Sequence, residues 1–123
     1  MLKPTHMKKT TLYLFLLFLA TACGVQKTQN LISEGAYDTA IEKATQKLRK
    51  NKTNKKSNEY VAFLEEAFIK AKERDNRDIS FLVKDANPQK LEQIFTIYKN
   101  LNARQEKIRP LLPLKVNGIE ATF

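Results

Sequence analysis

The sequence predicts an all-α fold: a small bundle of helical hairpins behind an export signal, with a short β-hairpin at the C-terminal end. Three observations predict it. After residue 30, apolar residues recur at three- and four-residue steps, the period of one helix face. The 123 residues include three glycines and four prolines, too few turn formers for a fold of many short strands. One Asn-Gly pair, Asn117-Gly118, stands between short alternating runs near the end, the strongest short-range hairpin signal.

Residues 1–22 read as a signal peptide. Lys8 and Lys9 precede an apolar run from Leu12 to Ala20, and the small residues Ala20, Thr21 and Ala22 close it. A bilayer-crossing helix needs about 20 apolar residues. Lys9 on one side and Gln26-Lys27 on the other leave too few. Met7 directly precedes the lysines, so either Met1 or Met7 serves as a start. Cys23, the only cysteine, follows the small residues directly, and this arrangement resembles the lipobox of bacterial lipoproteins. In that family the signal is cut just before the cysteine. Its sulfur then carries a diacylglycerol and its new amine an acyl chain, commonly palmitate. The resemblance implies that Cys23 is the lipidated first residue of the mature protein. The sequence departs from the family at Ala20, where Leu is usual, with Leu19 one step further out. Ala20-Thr21-Ala22 also fits an ordinary A-x-A cleavage site, which would release a soluble protein with an unmodified Cys23.

Residues 23–30 are short and polar and read as a tether, with Val25, Leu31 and Ile32 spaced for one face of a brief helix, and a helical domain follows over 31–112. Within Ser33 to Asn51, Tyr37, Ala40, Ile41, Ala44 and Leu48 share one face, and Glu42, Lys43, Gln46, Lys47 and Arg49 take much of the other. Gly35, Tyr37, Ala40 and Ile41 make a Gly-x-Tyr-x-x-Ala-Ile pattern that resembles the second helix of a tetratricopeptide repeat. There the glycine permits a tight turn, the aromatic ring wedges between helices, and the alanine lets backbones approach. The resemblance covers about half a repeat and implies a TPR-like helical hairpin. No aromatic stands at Ala44 and no proline near Asn51, where the repeat family has them.

Arg49 to Lys56 is a basic, apolar-free break. It reads first as a solvated turn whose cations suit a helix C-terminus, and second as a contact for anionic head groups or an acidic partner. It has no interleaved aromatic to stack on bases, so nucleic acid is not expected. Ser57 to Arg74 carries the broadest stripe, Tyr60, Phe63, Leu64, Ala67, Phe68 and Ala71, with Ser57 or Asn58 as cap. A break near Asn76 is expected, then a shorter helix to Lys84 with Ile79, Leu82 and Val83 inward. Asn87-Pro88 starts the next helix as N-cap and first residue. Leu91, Ile94, Phe95, Tyr98, Leu101 and Ile108 form its stripe. Gln105 interrupts it, so the last turns are expected to face solvent or a partner, and Pro110 ends the helix. Residues 113–123 read as the start of a β segment. Because a lone hairpin is marginal in water, more chain is expected beyond it.

Taken together, the chain resembles the N-terminal part of a family of uncharacterised lipoproteins from Bacteroidota. The residues that carry this are Cys23, the run Gly35 to Ile41, Leu64-Glu65-Glu66-Ala67-Phe68, and Arg104-Gln105 through Arg109-Pro110-Leu111-Leu112-Pro113-Leu114. The resemblance implies a location and a fold class and no activity. Gly24, rather than Asp, follows Cys23, and in Gram-negative lipoproteins this implies the periplasmic face of the outer membrane; the inner membrane and secretion are the alternatives.

Chemistry is sparse. The sole histidine is His6, before the signal, so no Ser/His or Cys/His nucleophile and no usual zinc set can form after residue 23. No Gly-rich phosphate loop occurs. The acid pairs Glu65-Glu66 and Asp75/Asp78 read as solvated surface. No enzyme activity, cofactor or metal is expected. The formal charge of +9 becomes about +6 past the signal, since Lys3, Lys8 and Lys9 precede it. The expectation is a membrane-anchored interaction or scaffold module of the cell envelope, with an envelope protein as partner. A carrier for a lipid or small ligand is the alternative, and a non-functional truncated fragment a third reading.

Overall fold

The structure, a computed structural model, describes residues 12–14, 24–85 and 87–123. Residues 12–14 are helical and exposed. The signal residues Ala20, Thr21 and Ala22 and the proposed lipid site Cys23 lie outside the described residues.

Helix α1 covers residues 24–33, so most of the stretch read as a tether is helical. Its inward positions are the reason. Val25 packs on the core, and Thr28 and Ile32 are buried. Thr28 keeps its hydroxyl satisfied by donating to the Gly24 carbonyl at 3.1 Å. The helix ends in a Schellman cap: the amides of Gly35 and Ala36 donate to the carbonyls of Ile32 and Leu31 at 3.1 and 2.8 Å. This cap puts Gly35 at φ +82°, a conformation glycine adopts without steric cost.

Helix α2, Tyr37–Lys50, returns antiparallel with Ala40, Ile41, Ala44 and Leu48 buried on one face. Asp38 stands in its first turn and Lys47, Arg49 and Lys50 in its last, each suited to the helix dipole there. The basic break then folds on its asparagines. Asn51 Oδ1 accepts from the amides of Thr53 and Asn54, and Asn54 Oδ1 caps the next helix by accepting from the Ser57 amide at 2.9 Å. The cap is therefore Asn54, ahead of the expected Ser57 or Asn58. Ser57 is buried inside the first turn, its hydroxyl 2.6 Å from the Asn51 carbonyl.

Helix α3, Lys55–Lys84, is one unbroken helix of 30 residues, about 45 Å long. The break expected near Asn76 is absent. Neither glycine nor proline interrupts the segment, and the inward stripe runs straight through it as Leu64, Phe68, Ala71, Asp75, Ile79. Helix α4, Pro88–Ile108, starts on the Asn87 cap, which accepts from the Gln89 amide at 3.0 Å, with Pro88 in the first turn. Its buried residues are Arg104 and Ile108. The C-terminal turns, expected to face solvent or a partner, are the buried end. Leu91, Phe95 and Tyr98, the large apolar residues nearer its start, are exposed. Length explains the reversal: α2 has 14 residues, about 21 Å, and covers only the first half of α3.

A 3-10 turn, Arg109–Leu111, leads into a two-stranded hairpin, β1 (Lys115–Val116) and β2 (Ile119–Glu120), paired Lys115 to Glu120 and Val116 to Ile119. Asn117 and Gly118 turn it at φ 51° and 82°, both positive as a type I′ turn requires. Helix α3 supports the hairpin. Asn58 Oδ1 accepts from the Asn117 amide, Glu65 Oε1 accepts from the Thr122 amide at 2.8 Å, and Phe123 meets Phe68 edge-on at 5.6 Å. The core is thus made by α1, α2, the first half of α3, the end of α4, and Leu111 and Leu114. The described chain is all-α apart from this hairpin.

Candidate functional site

Two features stand apart from ordinary packing. The first is an ionic cluster about two-thirds of the way along α3, beside the start of α2. Asp75 occupies a stripe position, and its carboxylate is almost fully buried. Arg104 of α4 reaches it with Nη1 at 2.5 Å from Oδ2, and reaches Asp38 of α2 with Nε at 2.5 Å from Oδ1. Arg74 closes the ring, donating from Nε to Asp75 Oδ1 at 3.1 Å and from Nη2 to Asp38 Oδ2 at 3.4 Å. The Arg74 guanidinium also lies 5.6 Å from the centre of the Tyr37 ring, within cation–π range. One turn further along α4, Lys107 pairs with Glu42.

The charges are matched. Burial pushes the Asp38 carboxyl up, but Arg104 and Arg74 together outweigh it and hold the group below its ordinary value. Burial likewise opposes the charge on Arg104, and its two carboxylate partners overcome that and hold its proton more tightly. The hydrogen bond from Lys107 holds Glu42 below its ordinary value. Among the described residues no buried side-chain polar atom lacks a partner. Each charged group of the network is already partnered by another of its members. The network's work is to join three helices. Asp75, read from sequence as solvated surface, is therefore a buried structural charge; Asp78, its companion, faces a cleft instead. Glu65 serves the hairpin, and Glu66 pairs with Lys70 at 2.9 Å.

The second feature is the prong beyond this cluster, where, among the described residues, α3 has only α4 beside it. Phe81, Val83, Leu91, Phe95 and Tyr98 each expose more than half of their surface. Two clefts flank the helix pair. One, of about 540 Å³, is lined by Phe81, Leu82 and Ile97 with Asp78, Glu92 and Thr96 at its polar margin. The other, of about 220 Å³, lies between Val83, Leu91 and Ile94 on the opposite side. Sequence periodicity assigns Val83, Leu91, Phe95 and Tyr98 to the core. In the structure the core ends before it reaches them.

Gly35, Tyr37, Ala40 and Ile41 come together at the start of α2, where Tyr37 is half-buried under Arg74 and Ala40 and Ile41 are in the core. Among the described residues no group of three His, Cys, Asp or Glu is placed to hold a metal ion, and no helix is long and apolar enough to cross a membrane. No protein-family model matches the chain, and no curated protein or solved structure matches it either.

Proposed function

We propose that the chain is a lipid-anchored envelope protein whose helical body acts as a protein-interaction or scaffold module. The anchor rests on Lys8-Lys9, the apolar run to Ala20, and Cys23 directly after Ala22. Gly24 after the cysteine favours the periplasmic face of the outer membrane. The single observation that carries the interaction role is the prong, a helix pair bearing Val83, Leu91, Phe95 and Tyr98 on its outside. At roughly 100 Å² per side chain these four expose about 400 Å², the size of the largest apolar patch on a typical monomer, and such a patch is often a binding site. The ionic cluster at its base supports the same role, because it ties α4 to α2 and α3 where the prong leaves the body.

The anchor is tested by fractionation. Wild-type protein is expected in the membrane fraction with a diacylglycerol and an acyl chain on Cys23 by mass spectrometry, and Cys23→Ala in the soluble fraction or as an uncleaved precursor. An unmodified mature N-terminus sinks the anchor and leaves the helical module standing. A second reading, a carrier for a small apolar ligand, is favoured by the 540 Å³ cleft between Phe81 and Ile97. Native mass spectrometry of protein extracted from membranes separates the two: a carrier retains a small-molecule mass in that cleft, and a Phe81→Glu substitution removes it.

A further inference from the structure

We propose that the partner on the prong is a second copy of this chain, docked antiparallel along the outer face of α4. The inference rests on the interaction-module reading. Leu91, Phe95 and Tyr98 are four and three residues apart, which stacks them in one stripe over two turns. They are 65, 67 and 55% exposed, and Val83 of α3 extends the stripe across the small cleft beside Leu91.

Charge selects the occupant. Glu92 and Lys99 follow Leu91 and Tyr98 by one residue each. They are seven residues apart, two turns, so both lie along the same edge of the stripe. They have opposite signs, and neither is in an ion pair among the described residues. Two helices packed antiparallel about a two-fold axis bring like edges together. With the axis near Phe95 and Thr96, Glu92 of each copy meets Lys99 of the other, and the two phenylalanines meet at the centre. A parallel pair brings opposite edges together and loses both contacts. The other edge is Ile94 and Leu101, half-buried against α3, so the seam cannot shift that way.

A lipid surface is the competing occupant, and two observations disfavour it. The edge charges are of mixed sign, where an anionic membrane selects basic ones. Gly24, the neighbour of Cys23 in sequence, lies against α3, where an added Cβ would be 3.0 Å from the Tyr60 hydroxyl. From Tyr60 to Val83 is about 35 Å along α3 by helix rise, so the stripe sits well away from an anchor at Cys23. At roughly 100 Å² per exposed side chain, the four side chains of each copy bury about 800 Å² in all, short of the about 1,000 Å² that stable interfaces clear, which predicts a weak, reversible dimer.

The test is sedimentation equilibrium of the full mature chain in detergent, with circular dichroism as a check on folding. Wild type is expected to dimerise with a Kd on the order of 10 µM. Phe95→Glu is expected to be monomeric and equally helical. Glu92→Lys sets two lysines against two lysines and is expected to weaken the dimer about tenfold. The double variant Glu92→Lys with Lys99→Glu restores both contacts and is expected to return near wild type. A wild type monomeric at about 100 µM, a dimer indifferent to Phe95→Glu, or a double variant no better than Glu92→Lys overturns self-pairing. Phe95-dependent binding of a monomeric chain to vesicles of neutral and anionic phospholipid overturns it in favour of the membrane. A monomeric chain that recovers a stoichiometric envelope protein through the same stripe overturns it too, but leaves the interaction-module reading intact.

Discussion

Arg104 is the residue on which three helices converge. Its guanidinium spans from Asp38 on α2 to Asp75 on α3, a bridge that needs donors pointing in two directions in one plane. Lysine is a point charge and cannot span both. Arg104→Ala is expected to cost about 3 kcal/mol in urea unfolding, low in the range for orphaning a buried charge because Arg74 remains on Asp75. Arg104→Lys is expected to recover little of that loss; full recovery by lysine means the bridge geometry is unimportant. Asp38 gives the pH dependence. Its folded-state pKa is depressed, so its contribution is fully present above the unfolded value, about 4, and is lost as pH falls through the lower folded value. The stability gap between wild type and Asp38→Asn is therefore expected to hold near neutrality and to close below about pH 4. A gap that is constant down to the acid transition assigns the loss to packing instead. Asp75 was legible in one respect: it stands at the stripe register between Ala71 and Ile79, where a charge requires a partner. Arg104 holds the same register, three residues after Leu101 and four before Ile108, but nothing local in the sequence pairs residues 29 positions apart.

At the level of elements, local stereochemistry was the readable part. Asn87-Pro88, Gly35 and Asn117-Gly118 each act through a backbone preference that neighbours do not override, and each punctuates the fold where it stands. Elements decided by remote packing were not readable in the same way. The spacing of Val25, Leu31 and Ile32 allowed a brief helix, but nothing in it showed that Thr28 is buried against a core supplied by α2 and α3 and satisfies its own hydroxyl within the helix. The charged run from Lys72 to Asp78 looks like a break because it has few apolar residues. A helix needs only its inward positions filled, and Asp75 with Ile79 fills them. In α4 the stripe predicts a buried face and cannot say how far the covering helices reach. Here α2 stops short, so the residues with the strongest periodicity are exposed and the polar end is buried. The C-terminal hairpin was readable as a hairpin. Its support was not, because Asn58, Glu65 and Phe68 act on it from more than fifty residues away.

Across the whole molecule, stability should fall with distance from the body. Around Leu48, Val61 and Leu64 the helices are covered on several sides, by α1, α2 and the hairpin segment. Beyond the cluster of Arg74, Asp75 and Arg104, α3 and α4 have only each other among the described residues, with Ile79 the last buried apolar side chain of α3. Backbone opening is cheapest where few apolar contacts must be broken. Native-state hydrogen exchange is therefore expected to show amides from Tyr60 to Ala71 opening only with global unfolding. Amides from Ser80 to Lys84 and from Leu91 to Lys99 are expected to exchange through smaller, local openings. The ionic cluster is the expected border, because it is the last point at which a third helix is tied in. Concentration separates intrinsic looseness from partnering. If two copies share the α4 stripe, protection of residues 91–99 rises with protein concentration while that of residues 60–71 does not. In the Phe95→Glu variant the prong is expected to stay weakly protected at every concentration. Uniform protection along all of α3 in that monomeric variant would show that the prong and the body unfold as one unit, and that the cluster marks no border.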